Sequence, residues 1–140
     1  MRNGVQTPFG QARSPFQRLK LGSDLITNGG FSADSNWSKG AGWTISGGKA
    51  NKATGSASAI SQTVGTGLSY VRVTFTVSGV TAGGVTPRSA GSGAIAGTTI
   101  TADGTYTQDI EFGDNNILQF LAGATFDGSI DNVIAQEILS

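Results

Sequence analysis

Two carboxylates two residues apart, Asp109 and Glu111, are the residues of this chain that most invite a chemical reading. In a strand they project from one face, and paired carboxylates carry glycoside hydrolysis as acid, base or nucleophile. That reaction needs the two groups to face each other across a cleft, whereas neighbours on one strand face are better explained as a solvated surface. Nucleophilic catalysis has serines in plenty, but no histidine and no cysteine is present, which leaves only a serine–lysine pairing formally open. The same two absences remove thiolate nucleophiles, disulfides and the commonest zinc ligands. Gly91-Ser-Gly93-Ala-Ile-Ala-Gly97 superficially matches a dinucleotide loop, yet it lacks the strand before and the helix after that would present a helix N-terminus to phosphate. Gly47-Gly48-Lys49-Ala50 has neither the spacing nor the hydroxyl of a phosphate-binding loop, and the glycosylation pattern Asn36-Trp37-Ser38 comes without a secretory signal. No catalytic residue and no cofactor is expected.

Binding is a better prospect than catalysis, and it turns on the aromatics. Trp43 alternates with Ile45 and reads as core. Trp37 sits in a polar loop, where it either caps the core or faces a ligand. Tyr70 and Arg72 share a strand face that is either a polar-aromatic surface or a covered second face. Trp37, Tyr70 and Arg72 are therefore the candidate glycan-facing residues. With one or two rings to spare, the sugar-binding signal is thin.

The first 22 residues differ from everything after them. Two of the three prolines lie here, Pro8 and Pro15, each followed by phenylalanine, Phe9 and Phe16. Proline fixes φ and biases its predecessor toward extended backbone, so this segment reads as an extended arm that cannot fold alone. Four of the nine basic residues (Arg2, Arg13, Arg18 and Lys20) and none of the nine acids fall in 1–22, so the arm carries +4 and the rest −4. A basic arm on an acidic body marks an attachment segment. Phe9 and Phe16 are the expected anchors in a partner's pockets, with Arg2, Arg13 and Arg18 making charge-assisted bonds.

The elements that position these residues are strands. In a chain of 140 residues, 23–140 makes one domain. Tyr70-Val-Arg-Val-Thr-Phe-Thr-Val77 alternates strictly, with Val71, Val73, Phe75 and Val77 on one face. Trp43–Ser46 is a strand closed by a Gly47-Gly48 turn, and residues 49–54 and 56–64 suggest a hairpin with a bulge near Ala59-Ile60. Asp103-Gly104 signals a hairpin between 99–101 and 106–112, where Tyr106, Gln108, Ile110 and Phe112 share one face. Leu25–Thr27 reads as the first strand, and 117–122 as another. A closing strand is fed by an Asp127-Gly128 turn. Eight or nine short strands without helical period predict an all-β protein, an antiparallel β-sandwich of jelly-roll type preceded by the extended arm. Apolar runs of only a few residues are too short to span a membrane.

Four segments in order, Leu25-Ile-Thr-Asn-Gly-Gly-Phe-Ser32, Gly42-Trp-Thr-Ile-Ser-Gly-Gly-Lys-Ala50, Tyr70–Val77 and Phe126-Asp-Gly-Ser-Ile-Asp-Asn-Val133, carry a resemblance. Together they resemble the carbohydrate-binding-module-like jelly rolls (family 4/9, galactose-binding-like) found in many phage virion proteins. The resemblance covers 24–139 and omits the arm. It implies a structural calcium where the first and last strands meet, for which Asp131 with backbone near Asn28 is the one position carried over. With the basic, proline-punctuated arm placed before the sandwich, the layout resembles that of phage capsid decoration (cement) proteins or small tail and head-fibre components, which implies a virion structural protein on the outer surface of the particle. The arm's partner would then be the major capsid protein or another virion subunit. Such proteins are homo-oligomers, commonly trimers. The alternative it implies is an adhesion module of a tail or head fibre that binds a surface glycan. Neither nucleic acid nor membrane is expected among the partners.

Overall fold

The computed structural model describes residues 20–93 and 95–139. The arm residues Arg2, Phe9, Arg13, Phe16 and Arg18 lie outside the described residues. What is described is an antiparallel β-sandwich with no helix among those residues. Among the described residues there are ten strands: β1 (Leu21–Asp24), β2 (Ser38–Lys39), β3 (Trp43–Ser46), β4 (Lys49–Lys52), β5 (Ser58–Thr63), β6 (Tyr70–Ala82), β7 (Val85–Ser89), β8 (Gly104–Glu111), β9 (Ile117–Ala122) and β10 (Asp127–Ile138). One sheet runs β3-β4-β10-β6-β8, with β1 also on β10; the other runs β2-β5-β9-β7. From β5 to β10 the chain changes sheet at every step, and Ile100 bridges to Val85 at the free edge of β7. The orders β4-β10-β6-β8 and β5-β9-β7-Ile100 are those of a jelly roll.

The long central strands follow from period two. Val71, Val73, Phe75 and Val77 on β6 are each no more than 1% exposed, while Arg72, Thr74 and Thr76 face outward. The β6–β8 register sets Thr74 against Thr107 and Thr76 against Thr105, and both hydroxyl pairs hydrogen-bond across the strands. Phe75 of one sheet meets Phe120 of the other edge to face, with ring centroids 5.1 Å apart, at the centre of the core.

The first and last segments close the sandwich through a fitted pair of turns. Gly29 lies so close to β10 that a Cβ would collide with the Val133 carbonyl oxygen, and its own carbonyl accepts from Val133 N at 3.0 Å. The approach is made possible by a register shift in β10 between Asp131 and Ile134, where Asn132 takes φ 52°. Asn28, at φ 59°, then holds the loop. Its amide donates to the Ala33 and Ser35 carbonyls, and its Oδ1 accepts from Ser32 N.

Several local expectations need correction. The first strand is Leu21–Asp24, not Leu25–Thr27, so Leu21 and Gly22 from the end of the basic stretch are part of the sheet. The segments 49–54 and 56–64 form no hairpin: β4 pairs with β3 and β10, whereas β5 crosses to the other sheet and pairs with β2 and β9. The β5–β9 register runs unbroken through Ala59 and Ile60. Asp103 does not turn a hairpin into β8; its carboxylate accepts from Gly79 N and Val80 N, tying down the bend in β6. Asp127 and Gly128 already belong to β10, and the turn before them is closed by Phe126 N donating to Gly123 O.

Candidate functional site

One end of the outer face of the β3-β4-β10-β6-β8 sheet carries most of what is chemically unspent. The register puts Tyr70 of β6 beside Glu111 of β8, and Arg72 beside both Asp109 of β8 and Gln136 of β10. Tyr70, Ile95, Asp109, Glu111 and Ile138 line a groove of about 430 Å³. Tyr70 is 50% exposed and Ile95 62% exposed. Ile95 reaches the groove because its N–H bonds the Glu111 carbonyl, which adds the 91–100 loop to the edge of β8.

Charge in the groove is partly spent. Arg72 donates from Nε to Asp109 Oδ1 at 2.8 Å and from NH2 to Oδ2 at 3.0 Å, a two-pronged pair across the strands. Hydrogen bonding to Arg72, helped by its charge, lowers the Asp109 pKa from the usual carboxylate range, and the same bond raises Arg72. Both side chains are part-exposed, so the pair is worth no more than about 0.2–1 kcal/mol. No cation of the described residues lies within ion-pair distance of Glu111. Asp109 and Glu111 project from the same strand, with Tyr70 and Ile138 rather than a second acid on the other side. That arrangement suits recognition of a partly apolar, partly cationic ligand; it does not set two carboxylates astride a bond.

A second, polar cleft of about 350 Å³ lies near the β2–β5 edge, lined by Thr27, Asn36, Ser38, Ser61, Gln62 and Thr63. Its central side chain is committed to structure. Gln62 accepts from Thr27 N and donates to the Thr27 and Asn36 carbonyls, pinning the Asn28 loop to β5.

Of the three candidate glycan-facing residues, only Tyr70 presents a ring to solvent. Trp37 is 7% exposed, lies 5.1 Å from Phe31 and 6.5 Å from Phe120 between ring centroids, and donates from Nε1 to the Asn28 carbonyl at 3.0 Å. The ligand-facing alternative for Trp37 is thus corrected: the loop turns inward at three non-glycine residues with left-handed backbone, Asn28, Phe31 and Asn36, and carries the indole into the core. Arg72 faces outward but is held by Asp109. Asp131, the calcium candidate, accepts from Asn132 N at 2.7 Å, and Asp24 Oδ1 accepts from Ile26 N and Ala135 N. One oxygen of each of these carboxylates thus serves backbone donors, and no group of three or more His, Cys, Asp or Glu comes together among the described residues.

Ile95 and Ile138 were missed as site residues. The sequence does hold a faint signal for Ile95, a lone large apolar residue among Gly, Ala and Ser. No protein-family model matches the chain, and a comparison with curated proteins finds no match.

Proposed function

We propose that the chain is a non-enzymatic structural protein of a phage virion. In this reading it is a capsid decoration or cement protein, anchored by its N-terminal arm to the major capsid protein or another virion subunit. The observation that carries the reading is the division of charge, +4 in residues 1–22 against −4 in the remainder. A basic segment of this kind is suited to an acidic groove on an assembled surface, and a ligand that binds only the assembled state stabilises it by mass action. Position supports the same reading. Lys20 O accepts from Leu139 N and Leu21 pairs with Ile138, so the arm departs from one end of the sandwich. The 79–84 and 123–126 turns occupy the other end, free to project outward. A symmetric homo-oligomer, a trimer among the options, fits this role.

The test is a pull-down of full-length protein and of a chain lacking residues 1–19 against purified phage heads and tails at low and high salt. Retaining Leu21 and Gly22 keeps β1 intact. Salt-sensitive binding to heads that is lost with the arm, while the shortened chain melts cooperatively, is the expected result. Normal occupancy by the shortened chain overturns the reading, and binding to tails alone moves the protein to a fibre.

A second reading, an adhesion module for a surface glycan on a tail or head fibre, is favoured by one observation: the half-exposed Tyr70 ring beside Glu111. Glycan-array binding that Tyr70→Ala removes would support it.

A further inference from the structure

The exposed large hydrophobic residues of the described chain gather on one region. Tyr70, Ile95 and Ile134 lie on the outer face of the β3-β4-β10-β6-β8 sheet or at its edge, and Leu139 lies at its end beside Lys20. Three of the groove's linings, Tyr70, Ile95 and Ile138, are large and apolar, and Glu111 adds a carboxylate with no cationic partner among the described residues. A surface of this composition calls for an apolar, basic occupant.

The same chain contains a segment of that composition, and it is tethered next to the groove. Residues 1–19 include Phe9 and Phe16 with Arg2, Arg13 and Arg18, and no acid. They join the domain at Lys20, whose carbonyl is bonded to Leu139 N, with Leu21 directly opposite Ile138. Successive strands lie about 4.8 Å apart, which puts Tyr70 about 10 Å and Glu111 about 14 Å from Leu21 across β10, β6 and β8. The four residues from Phe16 to Lys20 span up to about 14 Å when extended, and the seven from Arg13 about 24 Å. A tether this short gives an effective concentration on the order of millimolar, above that of a second copy in ordinary solution.

We propose that the groove is the docking site of the chain's own N-terminal arm, with Phe16 seated between Tyr70 and Ile138 and Arg13 paired to Glu111. The proposal does not depend on the virion reading. A parked arm reduces the apparent affinity for any outside partner by the fraction of time it is docked, so groove variants strengthen attachment instead of weakening it.

The absence of native cysteine allows a clean trap in the full-length chain. Ala12→Cys is combined with Ala96→Cys, exposed and next to Ile95, which leaves Phe16, Tyr70, Ile95 and Ile138 unchanged. The control pairs Ala12→Cys with Ala33→Cys, an exposed position off the groove on the loop that Asn28 holds against Val133, about 20 Å from Leu21 and within the span of about 27 Å that the eight residues from Ala12 to Lys20 allow. After mild oxidation, products are read on non-reducing gels and by peptide mapping. The intramolecular disulfide to Cys at 96 is expected to form about tenfold faster than in the control, and Phe16→Ser or Tyr70→Ser is expected to abolish the difference. Equal rates in the two double-cysteine variants overturn the proposal. Disulfide-linked dimers in place of the intramolecular product overturn it as well, by assigning the groove to the arm of a second copy.

Discussion

Two regions where the last strand meets its neighbours behave in opposite ways. At the seam of Asn28, Gly29 and Val133 the polar groups are matched: the Asn28 amide makes three or more hydrogen bonds and Gly29 and Val133 bond directly. Nearby, the largest aromatic of the loop, Trp37, is sunk into the core with its indole N–H satisfied. Farther along β10, around Ile138, the reverse holds: an open ring, two exposed or part-exposed isoleucines and a carboxylate without a described cation. The motifs most conspicuous as sequence, Asn-Gly-Gly-Phe and the loop tryptophan, are what hold the sandwich shut. The surface suited to recognition is assembled from residues that attract no notice singly.

This contrast is most easily broken at Trp37. Trp37→Ala removes an indole packed between Phe31 and Phe120, and is expected to cost about 3–5 kcal/mol in denaturant unfolding. A loss of glycan binding at unchanged stability, the signature of a ligand-facing indole, would restore that alternative. Gly29→Ala comes next, at about 1–3 kcal/mol, because the new Cβ and the Val133 carbonyl cannot share one space and the backbone must separate. A thermal melt unchanged from the parent would show that the loop at Gly29 does not press on β10 as closely as this contact requires.

The smallest effect belongs to the groove's ion pair. Asp109 has its folded pKa depressed by Arg72, so its contribution is present above the unfolded carboxylate value and lost as pH falls through the folded one. Arg72 stays charged throughout that range and adds no pH dependence of its own. Relative to Asp109→Asn, the parent is therefore expected to lose an advantage of about 0.2–1 kcal/mol as pH drops below about 4, with none lost between pH 6 and 8. Parallel stability curves for the two proteins across that drop would remove the pair from the account.

How much of this was legible beforehand depends on whether a feature is local. β6 and the inward face of β8 were readable because alternation is a property of consecutive residues. The Gly47-Gly48 turn was readable too, since both residues take positive φ between the paired strands β3 and β4. The partition of 49–64 between sheets was not, because Lys49–Lys52 and Ser58–Thr63 are short, small and polar, and only their partners β10 and β9 decide which sheet each joins. Leu21–Asp24 carries no pattern of its own and becomes a strand by pairing with β10. The burial of Trp37 in a polar loop depends on left-handed turns at Asn28, Phe31 and Asn36, which side-chain polarity does not foretell. The candidate groove was half legible. Tyr70 and Arg72 read as a ligand-facing surface and Asp109 with Glu111 only as a solvated one, while Ile95 and Ile138 join the groove from distant parts of the chain, through a loop bridge and a strand register.

The most direct measurement is urea unfolding of Trp37→Ala and Tyr70→Ser side by side with the parent, all three lacking residues 1–19 so that docking of the arm does not enter the comparison. A structural seam and an unspent surface predict a large loss for the first and a change within about 0.5 kcal/mol for the second, with equal m-values. Equal losses at the two positions, or a larger one at Tyr70, would contradict the division of labour between them.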